Sequence, residues 1–175
     1  MIYVLTFIGV VLVQVFFEES FLVVSGYLAF VTLVISLLIS PMKRLGLKVP
    51  IILRKKIGLC SAIIAIYHSI YSLTIIYQLD WILIYESSQS YTGLIAVSIY
   101  LFLSITSFGK MQRCFKRPSW KELHRVVYFL PFIILIHSFY SSNQFMSYNV
   151  LILFIFLISF PLRFCKQNKK KLQIK

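Results

Sequence analysis

The sequence predicts an all-α integral membrane protein, a bundle of six transmembrane helices with both termini on the cytoplasmic side. Composition is the first of three observations behind this. The 175 residues are 59% hydrophobic and 17% aromatic, and the mean hydropathy of +0.87 lies well above that of soluble domains. The second is run length, since apolar stretches of about 17–25 residues recur, long enough to cross a hydrocarbon core of roughly 30 Å. Hydrocarbon offers the backbone no hydrogen-bond partners, so each stretch must satisfy itself as a helix. A barrel would need alternation of polar and apolar residues, which runs such as NVLILFIFLISF lack. The third is the placement of charge.

Six spans follow, at residues 2–17, 21–41, 55–78, 90–109, 120–140 and 147–164. The first, within MIYVLTFIGVVLVQVFFEES, lacks the basic n-region and small-residue cleavage site of a signal peptide, so it reads as a membrane helix. Pro41, Pro50 and Pro118 fall at span ends or in connections, where a missing N–H costs little. Pro131 falls inside the fifth span and should kink it. Trp81 and Trp120 read as interfacial anchors. No connection is long enough to fold alone, so the chain reads as one domain with a basic tail at 165–175.

The eighteen basic residues orient the bundle. Lys43, Arg44, Lys48, Arg54, Lys55 and Lys56 lie at the connection of spans two and three. Lys110, Arg113, Lys116, Arg117, Lys121 and Arg125 lie at that of spans four and five, and Arg163, Lys166, Lys169, Lys170, Lys171 and Lys175 end span six or follow it. The remaining connections carry only acidic charge, from Glu18, Glu19, Asp80 and Glu86. The positive-inside bias then places both termini in the cytoplasm, which requires an even number of spans. A net charge of +13 gathered on one membrane face suits anionic headgroups better than nucleic acid.

Several chemistries find no support in the sequence. There is no GxGxxG or P-loop to hold a nucleotide phosphate, and the few carboxylates are scattered. Cys60, Cys114 and Cys165 have neither metal-ligand spacing nor a placement that favours a disulfide. Ser69 and Ser138 each follow a histidine, but adjacent helical residues point in different directions.

The three histidines, His68, His124 and His137, stand out because ionisable groups inside a bilayer are costly and commonly functional. The plainer reading is that each binds a backbone carbonyl between helices. Depth separates the readings. His68 lies twelve residues beyond Lys56, and His137 twelve beyond Arg125, so both sit about 18 Å in at 1.5 Å per residue. Their spans run in one direction, which brings both imidazoles to one level. Two neutral imidazoles at one depth on separate helices can ligate the two faces of a heme iron, a saturated coordination that favours electron transfer over oxygen binding.

His124 lies about 20 Å shallower, where Arg54 or Lys55 occupies the matching level of span three. Thirteen residues at 100° leave it roughly 140° from the facing of His137 on a straight helix. The residues therefore support one heme site, with His124 at the cytoplasmic edge near electron entry. Arg117, Lys121 and Arg125 would serve there as contacts for a flavin phosphate or heme propionate, or as solvated anchors. A zinc or copper site would want a third or fourth ligand, and none lies near in sequence.

RKKIGLCSAIIAIYHSIYSL (54–73), SITSFGKMQR (104–113), SWKELHRVVYF (119–129) and LIHSFY (135–140) together resemble the ferric-reductase-like transmembrane domain. Over about residues 25–140 they look most like the heme-binding membrane subunit, of MsrQ (YedZ) type, of the bacterial periplasmic methionine sulfoxide reductase system. The motifs are Arg54 to Leu59 before the first histidine, Thr106–Ser107 ending span four, and Trp120, Leu123, His124, Arg125 and Tyr128 opening span five. The resemblance implies a multi-pass b-type cytochrome of the bacterial inner membrane, with His68, His124 and His137 as heme-associated residues. It also implies electrons from the quinone pool or a cytoplasmic flavin reductase, FMN as a further cofactor, and a periplasmic molybdopterin-dependent reductase as acceptor. Such a chain is an electron-transfer subunit rather than the catalytic one. Two-heme relatives carry two histidines on each of two helices, whereas span three here has one. Relatives with a cytoplasmic flavin and nicotinamide domain are longer, so reductant is expected from a partner or a quinol. A stand-alone transmembrane ferric or quinone reductase is the alternative within this class. Outside it stands a cofactor-free transporter or scaffold, though transporters usually show broken helices or buried charge at the midplane.

Overall fold

The computed structural model describes residues 3–6, 8–9, 21–109, 111, 122–141 and 146–161, and among these no strand occurs. Helix α1 (Phe21–Arg44) closes on Lys43 and Arg44, cations that suit the negative end of its dipole. The chain leaves α1 through Gly46, whose φ of +93° is open to glycine and strained for residues with a Cβ. Helix α2 (Ile51–Tyr71) starts behind Pro50 with no side-chain cap and widens into a π-helical turn, Ser72–Ile76. A short helix, α3 (Trp81–Glu86), is capped by Asp80, whose carboxylate accepts from the Ile82 amide at 2.9 Å. Helix α4 (Ser88–Thr106) is capped by Ser87.

Three helical stretches are long and apolar enough to cross a membrane, Leu22–Arg44, Ile52–Ile76 and Ser88–Thr106. They match the second, third and fourth predicted spans. The fifth and sixth correspond to shorter apolar helices, α5 (Leu130–Tyr140) and α6 (Met146–Ser159). Most of the first predicted span lies outside the described residues. Residues 3–6 are helical, and the Thr6 hydroxyl donates to the buried Cys60 thiol of α2 at 3.2 Å.

Pro131 acts differently from a mid-helix kink. A 3-10 segment, His124–Tyr128, precedes it, and the proline occupies the first turn of α5. There its missing N–H deprives the helix of nothing. The carbonyl of Phe129 accepts from Phe132 at 3.1 Å and from Ile133 at 3.2 Å, which starts the α-helix around the proline.

α1 and α2 form an antiparallel hairpin, as three cross-links down its length show. Ser36 Oγ donates to the Arg54 carbonyl at 2.8 Å, Ser61 Oγ to the Ala29 carbonyl at 2.7 Å, and Ser25 Oγ lies 3.0 Å from His68 Nδ1. Close approach is needed at Gly58, where a Cβ would sit 3.1 Å from Ser36 Oγ. α4 packs on α2 and α5, and α6 on α1 and α5. Phe30, Leu37, Leu130 and Phe156 fill the shared core. Leu151, Phe154 and Ile158 of α6 stay exposed, a face that hydrocarbon would cover.

Candidate cofactor site

His68 and His137 come together between helices. His68 stands in the last turn of α2 and His137 in the last turn of α5, with ring centroids 6.3 Å apart and ring planes at 89°. The equal depth expected from the sequence is what the bundle shows.

Each ring is held through its Nδ1. His137 Nδ1 lies 3.0 Å from the Gln89 carbonyl of α4. A carbonyl only accepts, so Nδ1 carries the proton and Nε2 keeps its lone pair. His68 Nδ1 lies 3.0 Å from Ser25 Oγ, which itself donates to the Leu22 carbonyl at 3.2 Å. Either group can be the donor there, so the contact holds the His68 ring without assigning its proton. The plain role of a membrane histidine, bonding a carbonyl, thus occupies one nitrogen of His137 and leaves the other available.

Two glycines make room for the rings. A Cβ at Gly26 of α1 would lie 3.2 Å from His68 Cε1, and one at Gly93 of α4 would lie 3.0 Å from His137 Cε1. His68 and His137 are the residues that would hold a group bound here, and the bonds to Nδ1 would orient the two rings. No third His, Cys, Asp or Glu joins the pair among the described residues.

His124 lies apart, at the basic end of the bundle. Its Nε2 is 3.0 Å from Thr106 Oγ1, and that hydroxyl donates to the Phe102 carbonyl at 2.9 Å. His124 and His137 therefore both face α4, at its two ends, which corrects the expected facing of roughly 140°. The cause is the 3-10 segment, which turns 120° per residue rather than 100° and brings the two within roughly 40° of one direction.

A cavity of about 1060 Å³ opens beside His124, with Arg54, Lys55, Arg125 and Tyr100 also in its wall. His68 and His137 do not line it. Arg54 and Lys55 hold the level opposite His124, as the sequence places them. Arg54 Nη1 donates to Ser40 Oγ at 3.0 Å and Nη2 to Tyr128 OH at 3.2 Å, with its guanidinium 5.9 Å from the centre of the Tyr128 ring. The motifs thus meet in pairs, Arg54 with Tyr128 and Thr106 with His124. Arg117, Lys121 and Trp120, and likewise Cys114 and Cys165, lie outside the described residues.

Ser25, Gly26, Gln89 and Gly93 belong to the site without having been predicted. Gly26 and Gly93 carried a signal, since a glycine within an apolar span often marks close approach. The Gln89 carbonyl carried none, because a backbone acceptor is indifferent to the side chain. Asn149, 2% exposed in α6, donates from Nδ2 to Ser138 Oγ at 2.9 Å and so ties α6 to α5 one residue from His137. Asn149→Leu should lower stability by about 0.6 kcal/mol, the average for interhelical polar bonds in a membrane protein, measured by unfolding in mixed micelles.

The described helices define a multi-pass helical membrane protein with an imidazole pair inside its bundle. The family of the ferric reductase like transmembrane component matches residues 25–137, a stretch that takes in all three histidines, and the chain belongs to that family. Membership brings a membrane electron-transfer role. No solved structure matches the chain.

Proposed function

We propose that this protein is a heme b-containing electron-transfer subunit of the bacterial inner membrane. Electrons would come from the quinone pool or a cytoplasmic flavin reductase and leave to a periplasmic oxidoreductase of the methionine sulfoxide reductase type. Six spans with both termini cytoplasmic would set the imidazole pair toward the exit side and His124 toward the entry side. The observation that carries this reading is the pair of imidazoles on separate helices with ring centres 6.3 Å apart. His68 and His137 would hold the heme, which would supply one-electron transfer.

The remaining groups orient and shelter. The Gln89 carbonyl keeps the His137 proton on Nδ1, and with Ser25 it fixes the ring planes. Gly26 and Gly93 let α1 and α4 close over the rings. Arg125, with Arg117 and Lys121, would meet a flavin phosphate or propionate at the cytoplasmic edge, FMN being proposed on the resemblance alone. A molybdopterin-dependent reductase is the proposed periplasmic partner on the same ground.

A reduced-minus-oxidised spectrum with pyridine hemochrome quantification tests the reading. Protein from heme-replete cells should show b-type bands at about one heme per chain, and a colourless preparation would refute it. Reduction by a quinol without electron delivery to a periplasmic acceptor would instead favour the stand-alone reductase. Ser25→Ala should weaken heme retention about tenfold, the lower end for an outer-shell partner. It should also raise the midpoint potential, because a less basic His68 stabilises ferric iron less. Redox titration of the variant checks this.

A further inference from the structure

The connection from α2 to α4 lies at the end of the bundle that carries His68 and His137. We propose that this connection, with α3 at its centre, docks a soluble protein whose contact face is apolar in the middle and rimmed by Lys and Arg, the electron acceptor of the proposed function. The acceptor's role rests on that reading, while the contact itself does not.

Charge selects the sign of the partner. Segments 1–42, 57–109 and 126–162 contain no Lys or Arg and four of the five carboxylates. Asp80 and Glu86, at the two ends of α3, are both exposed. A face of this one sign draws a basic surface to it and repels an acidic one.

The exposed arc of α3 selects protein over lipid. Ile84 is 4% exposed, whereas Trp81 is 76%, Ile82 69%, Leu83 51% and Tyr85 83%. The membrane-length helices on either side end at Ile76 and begin at Ser88, so these side chains stand beyond the spans. At about 100° per residue, Trp81, Tyr85, Ile82, Glu86 and Leu83 follow one another around an arc of about 200°. Glu86 falls between the two aliphatic side chains, so a bilayer covering the whole arc would take a carboxylate with it. A bilayer covering Trp81 and Tyr85 alone would leave Ile82 and Leu83 in water. Helices that lie in an interface are rich in Lys and Arg on the polar face, and α3 has neither. A protein can pair Glu86 while its pockets take Trp81 and Tyr85, residue types that dominate binding energy at interfaces.

This face is tied to the imidazole pair. Gln78 and Leu79 take left-handed φ values of 44° and 59°, which residues with a Cβ keep only where their surroundings impose them. Here the Leu79 amide donates to the Leu73 carbonyl at 3.0 Å and the Asp80 amide to the Tyr77 carbonyl at 2.7 Å. The Tyr77 hydroxyl lies 3.1 Å from Ser87 Oγ, the cap of α4. Two residues later the Gln89 carbonyl holds His137. A partner seated on α3 therefore meets the bundle within one helical turn of that contact, on a face ordered before binding.

Biolayer interferometry on the full chain in phosphatidylcholine nanodiscs tests the contact. Lysine-rich ferricytochrome c is the probe, and its succinylated form, with lysines converted to carboxylates, is the control. Native cytochrome c should bind, and raising salt from about 20 to about 200 mM should weaken binding about fivefold. Asp80→Asn/Glu86→Gln should weaken it about fivefold, asparagine keeping the cap of α3. Trp81→Ala/Tyr85→Ala, at exposed positions, should weaken it about tenfold or more. Neither pair should alter binding of the succinylated form, which belongs at the basic end. Trp81, read in a Trp120→Phe background, should be quenched by aqueous acrylamide and shielded from it by native cytochrome c. Failure of native cytochrome c to bind, unchanged binding in either double variant, or Trp81 quenched by brominated acyl chains and not by acrylamide would each overturn the proposal. Binding as expected by a protein without b-type bands would uphold this contact and refute the heme instead.

Discussion

Alanine at His68 or at His137 is expected to remove the b-type bands from the purified protein, with at least a tenfold fall in heme per chain. The two rings stand on different helices with centroids 6.3 Å apart. On the proposed function, loss of either would leave one imidazole to hold the heme and a gap where the other ring stood. His124→Ala should keep most of the heme, since His124 bonds Thr106 at the far end of α4. Pyridine hemochrome content, normalised to folded protein by size exclusion, gives the comparison. Bands unchanged in His68→Ala or in His137→Ala would remove that residue as a ligand.

Valine at Gly93 should have nearly as large an effect without touching a ligand. Gly93 has an ordinary helical backbone, so conformational freedom is not what the position requires. Space is, because even a Cβ would lie 3.0 Å from His137 Cε1 and 3.2 Å from Nδ1. The added methyl groups of valine would push the ring off the Gln89 carbonyl or push α4 off α5, and overpacking of this kind costs about 1–3 kcal/mol. Gly93→Val should retain less than a fifth of the wild-type heme while still forming a helical, detergent-soluble protein by circular dichroism. Gly9→Ala, where a Cβ meets nothing within 4 Å, should behave as wild type. Full heme content in Gly93→Val would show that the ring position tolerates α4 moving.

Much of this architecture was legible in the sequence because the bilayer reduces it to local rules. A segment such as 21–41 has to be a helix whatever it packs against, since no solvent is there to take its hydrogen bonds. The equal depth of His68 and His137 followed from counting residues inward from Lys56 and Arg125 at a fixed rise. The opposition of His124 with Arg54 and Lys55 followed in the same way. Facing around the axis was another matter. A 3-10 segment stands ahead of Pro131, and the change of angle per residue summed over that segment turned His124 toward α4. Small departures in twist accumulate, whereas rise is nearly conserved.

The amino-acid sequence by itself determined the membrane class, three membrane-length helices and the common level of two imidazoles, because these depend on hydrophobic length and a constant rise per residue. Only the tertiary structure decided which atoms meet. The Ser25 hydroxyl, the Gln89 carbonyl and the bare Cα of Gly93 come to the rings from other helices, so the tautomer and the room for each ring depend on how the helices pack. Packing is set by side chains distant in sequence, and no local pattern records it.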